Sequence, residues 1–172
     1  MTNVSQRILI TGATGYVGGR LVGRLQRRGD LALRCMARRP AHLKGRVAPG
    51  VEVVQGDVSE PASLDAALAD VDTAFYLVHS LAAGGDFEAT ELAGASNFAA
   101  AAEKAGVQRI IFLGGLGSGD ATSAHMRSRH AVGEILRESG VTAIEFRASV
   151  VIGPGSLSFE LIRSLVERLP VM

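Results

Sequence analysis

Thr11-Gly12-Ala13-Thr14-Gly15-Tyr16-Val17-Gly18 is the stretch that decides the fold. It closes the apolar run Arg7-Ile8-Leu9-Ile10, which reads as a buried strand. It then leads into Val17, Leu21 and Leu25, which recur every four residues as one face of a helix. Arg20, Arg24, Arg27 and Arg28 take the other sides, and Gly29 stops the helix. A glycine-rich turn between a strand and a helix suits an anion, because the first N–H groups of the helix and the positive end of its dipole face the turn. Gly12 permits the tight bend, Gly15 lets the backbone approach a pyrophosphate, and Gly18 lets the helix pack closely. The expectation is a dinucleotide site, with Gly12, Thr14, Gly15, Tyr16, Val17 and Gly18 around the phosphates.

The rest of the chain repeats the strand–helix alternation. Strands are expected at 31–36, 51–54, 73–78, 109–113 and 142–147. Helices are expected at 59–69, 88–105 and 123–139, with Ser59 as a cap and Pro61 in the first turn. A last helix carries Phe159, Ile162, Leu165, Val166 and Leu169 on one face, read as packing against the sheet. Strands separated by helices pair in parallel through right-handed crossovers. The fold class is therefore α/β: a doubly wound parallel sheet of the Rossmann type with helices on both faces. Residues 1–150 read as the dinucleotide-binding domain, and 151–172 as the start of a short or truncated substrate-side region.

Composition narrows the partners. The 172 residues are 47% apolar and 20% charged, with a net charge of +1. That length suits one domain with its own core. The charge supplies no basic field for nucleic acid. One cysteine, Cys35, excludes an intrachain disulfide, and the four histidines lack zinc-site spacing. The first seven residues do not read as a signal peptide, and no apolar stretch approaches the ~20 residues of a membrane span. The expected setting is cytoplasmic, with a dinucleotide and an unidentified small-molecule substrate as partners and room for an oligomer.

With its GxxGxxG spacing, Ile10-Thr11-Gly12-Ala13-Thr14-Gly15-Tyr16-Val17-Gly18 resembles the atypical branch of the short-chain dehydrogenase/reductase superfamily, most closely the NmrA-like and epimerase-like NAD(P)-binding proteins. Later segments are similar too: Gly56-Asp57-Val58 after the third strand, Leu77-Val78-His79 at the end of the fourth, and Phe146-Arg147-Ala148 followed by Gly153-Pro154 after the sixth. The resemblance implies that Asp57, with Val58, contacts adenine and that Leu77, Val78 and His79 pass under the cofactor, His79 through its backbone. An NAD-preferring site carries an acid about 20 residues past the loop, on the ribose 2′-hydroxyl. Here the sequence reads Ala37-Arg38-Arg39-Pro40. Arg38 first, then Arg39, suits a 2′-phosphate, so NADP(H) is favoured over NAD(H).

The resemblance also implies a Ser after the fifth strand and a Tyr-x-x-x-Lys on the next helix, and this chain departs at each. Gly114 stands where Ser is expected, with Ser118 nearby, and the Tyr and Lys slots hold His125 and Arg129. Neither Tyr16 nor Tyr76 replaces the missing tyrosine. His125 could shuttle a proton, whereas Arg129 stays charged and could hold ribose hydroxyls. Two readings remain open: an oxidoreductase or epimerase working without the usual residues, and a non-catalytic redox sensor or accessory module.

Overall fold

The computed structural model describes residues 6–79, 87–116 and 124–169. Six strands form one sheet: β1 (Gln6–Ile10), β2 (Leu31–Ala37), β3 (Glu52–Gln55), β4 (Thr73–Tyr76), β5 (Arg109–Gly115) and β6 (Thr142–Ala148). Their order is β3-β2-β1-β4-β5-β6, and every pairing is parallel. The chain therefore builds outward from β1 in one direction, then starts again at β4 in the other. The crevice at the carboxyl ends of β1 and β4 is where an open α/β sheet takes its ligand.

Alternation along the strands divides the core in two. Ile8 and Ile10 of β1 face α1 (Tyr16–Leu25), together with Leu33, Cys35 and Val22. Leu9 faces the opposite way. It joins Ala74, Tyr76, Ile110 and Phe112 under α2 (Pro61–Leu68), α3 (Phe87–Lys104) and α4 (Ala124–Glu138). Helices thus cover both faces, as the strand–helix alternation requires. Each fully buried Leu, Ile or Phe contributes about 1.5–3 kcal/mol.

Three local expectations need correction. On α1 the innermost residues are Gly18 and Val22, with Leu21 and Leu25 flanking, so the buried stripe is turned from Val17–Leu21–Leu25. Ser59 does not cap α2. Glu60 is the N-cap, and the Ser63 hydroxyl closes the turn by donating to the Asp57 and Glu60 carbonyls while accepting from the Asp57 N–H at 2.9 Å. The last helix, α5 (Leu157–Arg168), buries none of its residues. Ile162, Leu165, Val166 and Leu169 remain exposed, so the stripe is not core packing. Its periodicity was real, but Gly153-Pro154-Gly155 carries the chain back toward α1 instead of onto the sheet, as the Arg20 and Tyr16 contacts below describe.

Candidate functional site

The loop between β1 and α1 is held from below by Thr11. Its hydroxyl donates to the Phe75 carbonyl (2.9 Å) and accepts from the Leu77 N–H (3.0 Å), tying the end of β1 to the end of β4. Gly12 follows with φ +65°, and a Cβ there would run into the Leu77 carbonyl. A Cβ on Gly18 would strike the Gly12 carbonyl, so the first turn of the helix lies directly against the loop. Gly15 differs. It is the extended N-cap of α1, exposed, with a Cβ position 3.2 Å from the Gly12 oxygen. Thr14 beside it is also exposed. Among the described residues no side chain caps α1, and no acidic residue stands in its first turn, leaving a positively polarised amide cluster. Such a cradle fits a pyrophosphate. Tyr16 stacks under the Arg20 guanidinium (4.6 Å) and its hydroxyl abuts Gly153, while Arg20 donates to the Pro154 carbonyl at 2.9 Å. The segment after β6 thus lies against the start of α1. Val17 is half-buried.

A second recess opens at the carboxyl ends of β2 and β3. A cavity of about 320 Å³ is lined by Arg38, Gln55, Gly56, Asp57, Glu60 and Ser63. Sequence reasoning named Arg38 and Asp57 separately, and the fold brings them to one cavity. Asp57 Oδ1 accepts from the Ser59 N–H at 2.9 Å. Arg39 lies outside this lining, as the N-cap of a short 3-10 turn (Pro40–Leu43). Val58 is buried: Gly94 packs against its side chain, and its carbonyl accepts from Asn97. An acid and a cation lining one recess can bond a purine amine and an anionic ribose substituent respectively.

The third cluster lies beyond β4 and β5, and its centre is Glu91 of α3. The Glu91 side chain is 5% exposed. One oxygen lies 2.9 Å from His79 Nδ1, and the other accepts from the Ser128 hydroxyl at 2.5 Å. The Arg129 guanidinium lies 3.9 Å from Glu91 and donates to the Val78 and Leu113 carbonyls, closing the ends of β4 and β5. Burial pushes the Tyr76 phenol well above its ordinary range, and Glu91 adds to this while Arg129 opposes it. Tyr76 packs on Phe98 in the core and stays protonated. His125 lies in the first turn of α4, but its side chain, like Ser118, falls outside the described residues.

Glu91 was missed from the sequence, although the signal was present. It shares a helix face with Ala95, Phe98 and Ala102, an acid on an otherwise apolar stripe. Leu77 and Val78 are half-buried, and Leu77 presents its backbone to the Gly12 loop.

A family described as NAD(P)H-binding matches residues 12–151. A (4-alkanoyl-5-oxo-2,5-dihydrofuran-3-yl)methyl phosphate reductase of Streptomyces griseus is 34% identical over 172 residues, 95% of this chain and 57% of its own length. Among solved structures, the triphenylmethane reductase of Citrobacter sp. complexed with NADP(H) superposes with TM-score 0.74 at 22% identity, covering 94% of this chain and 55% of that one. The Bordetella bronchiseptica enzyme WbmG in complex with NAD gives TM-score 0.78 at 23% identity, covering 98% and 61%. The chain spans about half the length of such relatives. Among the described residues, no helix is long and apolar enough to cross a membrane.

Proposed function

We propose that this chain, which belongs to the NAD(P)H-binding family, is of the atypical short-chain dehydrogenase/reductase branch and acts as the NADP(H)-preferring cofactor domain of a reductase. The observation that carries this reading is the pairing of two recesses along one sheet edge: the amide cradle of the Gly12–Gly18 loop, and the Arg38–Asp57 cavity at the ends of β2 and β3. In it, the N–H groups at the start of α1 hold the pyrophosphate, with Thr14 and Gly15 at the open tip. Asp57 meets adenine, and Arg38 pairs with the 2′-phosphate through a charge-assisted fork. The bound dinucleotide supplies a hydride, and the fold supplies its orientation. The reaction class, addition of hydride to an electrophilic unsaturated carbon of a small molecule, follows the reductases among its relatives.

A second reading, a dinucleotide-binding sensor or accessory module without turnover, is favoured by one observation. Arg129, in the slot of the family lysine, donates to main-chain carbonyls. Turnover of any acceptor separates the two readings.

The experiment for cofactor choice is a fluorescence titration with NADPH and NADH, repeated on Arg38→Ala. A charge-assisted hydrogen bond contributes about 1.5–3 kcal/mol. NADPH should therefore bind at least ~10-fold tighter than NADH, and Arg38→Ala should remove that gap by weakening NADPH alone. Equal affinities in the parent protein overturn the assignment.

A further inference from the structure

We infer that the β1–β2 side of the molecule is a basic capture surface for the dinucleotide, on which exposed arginines away from the two recesses set how fast the cofactor is loaded. This surface serves the dinucleotide site proposed above, and the inference rests on that reading.

The net charge of +1 hides a partition along the chain. Residues 7–51 hold ten lysine and arginine residues against one acid, Asp30, a charge of +9. Residues 52–172 hold eight against sixteen, a charge of −8. The basic residues also lie together in space, because residues 7–51 build β1, α1, β2 and the 3-10 turn, and β1 pairs with β2. Folding neutralises only part of this charge. Arg7, Arg28 and Arg34 pair with Asp70, Asp30 and Glu52. Arg20 is engaged by Tyr16 and the Pro154 carbonyl. The other six, Arg24, Arg27, Arg38, Arg39, Lys44 and Arg46, are exposed and make no ion pair among the described residues.

Their placement follows the two recesses. Arg38 lines the cavity at the ends of β2 and β3, and Arg39 follows it as the N-cap of the 3-10 turn. The segment after that turn runs back along α1. Ala48 donates its N–H to Gln26 Oε1 at 2.9 Å, and the Arg46 guanidinium lies 3.7 Å from where a Cβ on Gly19 would stand. Gly19 donates to the Gly15 carbonyl, so Arg46 flanks the first turn of α1, beside the amide cradle. Arg24 lies one turn of α1 beyond Arg20, about 6 Å further along the helix, and Arg27 lies past the helix end.

A dinucleotide with a 2′-phosphate carries roughly four negative charges, two on the pyrophosphate and nearly two on the phosphate monoester. The basic side attracts it, while the acidic remainder of the chain repels it. The amide cradle and Arg38 are placed to touch the bound anion, whereas Arg24 and Arg27 act on it through their field. That field reaches about 30 Å at 0.01 M salt and about 3 Å at 1 M. It raises the frequency of encounter and leaves unchanged the contacts that hold the bound ligand. Its signature is therefore an association rate that depends on salt, with a dissociation rate that does not follow these two charges.

The test is stopped-flow mixing of the full chain with NADPH, followed by nicotinamide fluorescence, in the parent and in Arg24→Glu/Arg27→Glu. The parent should associate at least ~10-fold faster at about 0.01 M sodium chloride than at about 1 M. The double variant should associate at least ~5-fold more slowly than the parent at low salt, match it within about twofold at 1 M, and keep the parental dissociation rate. Arg24→Gln/Arg27→Gln, which removes half as much charge, should fall between the two. Convergence at high salt separates a lost field from a lost fold, because a misfolded chain stays slow at every salt concentration. A parental association rate in the Glu variant at low salt overturns the inference but not the cofactor reading. So does a salt-independent rate in the parent, slow association of both variants at 1 M, or dissociation quickened by more than about threefold, which would make these arginines direct contacts. Absence of NADPH binding by the parent overturns both.

Discussion

Gly12 and Gly15 are three residues apart in the same loop, yet the structure assigns opposite consequences to replacing them with alanine. Gly12 sits at φ +65°, where an L-residue costs about 1–2 kcal/mol. Its added Cβ would lie 2.8 Å from the Leu77 carbonyl carbon, and overlap of this kind adds about 1–3 kcal/mol. The sum is about 2–5 kcal/mol. At about 2–4 °C per kcal/mol for a domain of this size, Gly12→Ala should lower Tm by about 4–20 °C. Gly15 has φ −77° and ψ 175°, open to any residue, and its Cβ would meet only the Gly12 oxygen at 3.2 Å. Gly15→Ala costs the cap preference, about 1 kcal/mol, and so a few degrees. Its methyl group enters the space reserved for the pyrophosphate, so NADPH affinity should fall at least ~10-fold, equivalent to 1.4 kcal/mol. Differential scanning fluorimetry and a cofactor titration on both variants separate the effects. Parental NADPH affinity in Gly15→Ala would refute the reasoning about the loop tip. An unchanged Tm in Gly12→Ala would refute the reasoning about the turn.

Other consequences follow from buried polar groups. Thr11→Val keeps the shape but removes both bonds to β4, leaving the Leu77 N–H without its acceptor, so urea unfolding should show a loss of about 1–3 kcal/mol. Arg34 donates to the Ala66, Ala67 and Ala69 carbonyls at the end of α2 and pairs with Glu52. Arg34→Met strands those carbonyls, and thermal melts should record a loss of about 2–4 kcal/mol. Burial pushes the Cys35 thiol up from 9.0 to about 11. Its folded value lies above the unfolded one, so the stabilisation is complete below pH 9 and is lost as pH rises toward 11. The urea midpoint should fall over that window in the parent but not in Cys35→Ala, and native Cys35 should resist iodoacetamide at neutral pH.

Sequence reading succeeded where the physics was local. The Gly12–Gly18 turn, the flanking strand and the start of α1 lie within twenty residues, and each reports the same backbone geometry. Arg38 and Asp57 were legible as loop residues after successive strands, because parallel strands bring their carboxyl ends to one edge of the sheet. What failed depended on distant partners. The Glu91 cluster draws on β4, α3 and α4, and no window of sequence contains both Glu91 and Ser128. Arg34 stands within β2, yet its partners are carbonyls at the end of α2, 32–35 residues away. The α5 stripe revealed which face is apolar, while what covers a face is decided by tertiary packing.

The central claim is that the β1/β4 edge of this sheet holds a nicotinamide dinucleotide, and isothermal titration of the purified chain with NADPH tests it most directly. The account predicts saturable binding at one site per chain, competed by 2′,5′-ADP and weakened in Gly15→Ala. Heats that never saturate, or saturable binding that Gly15→Ala leaves unchanged, would contradict it.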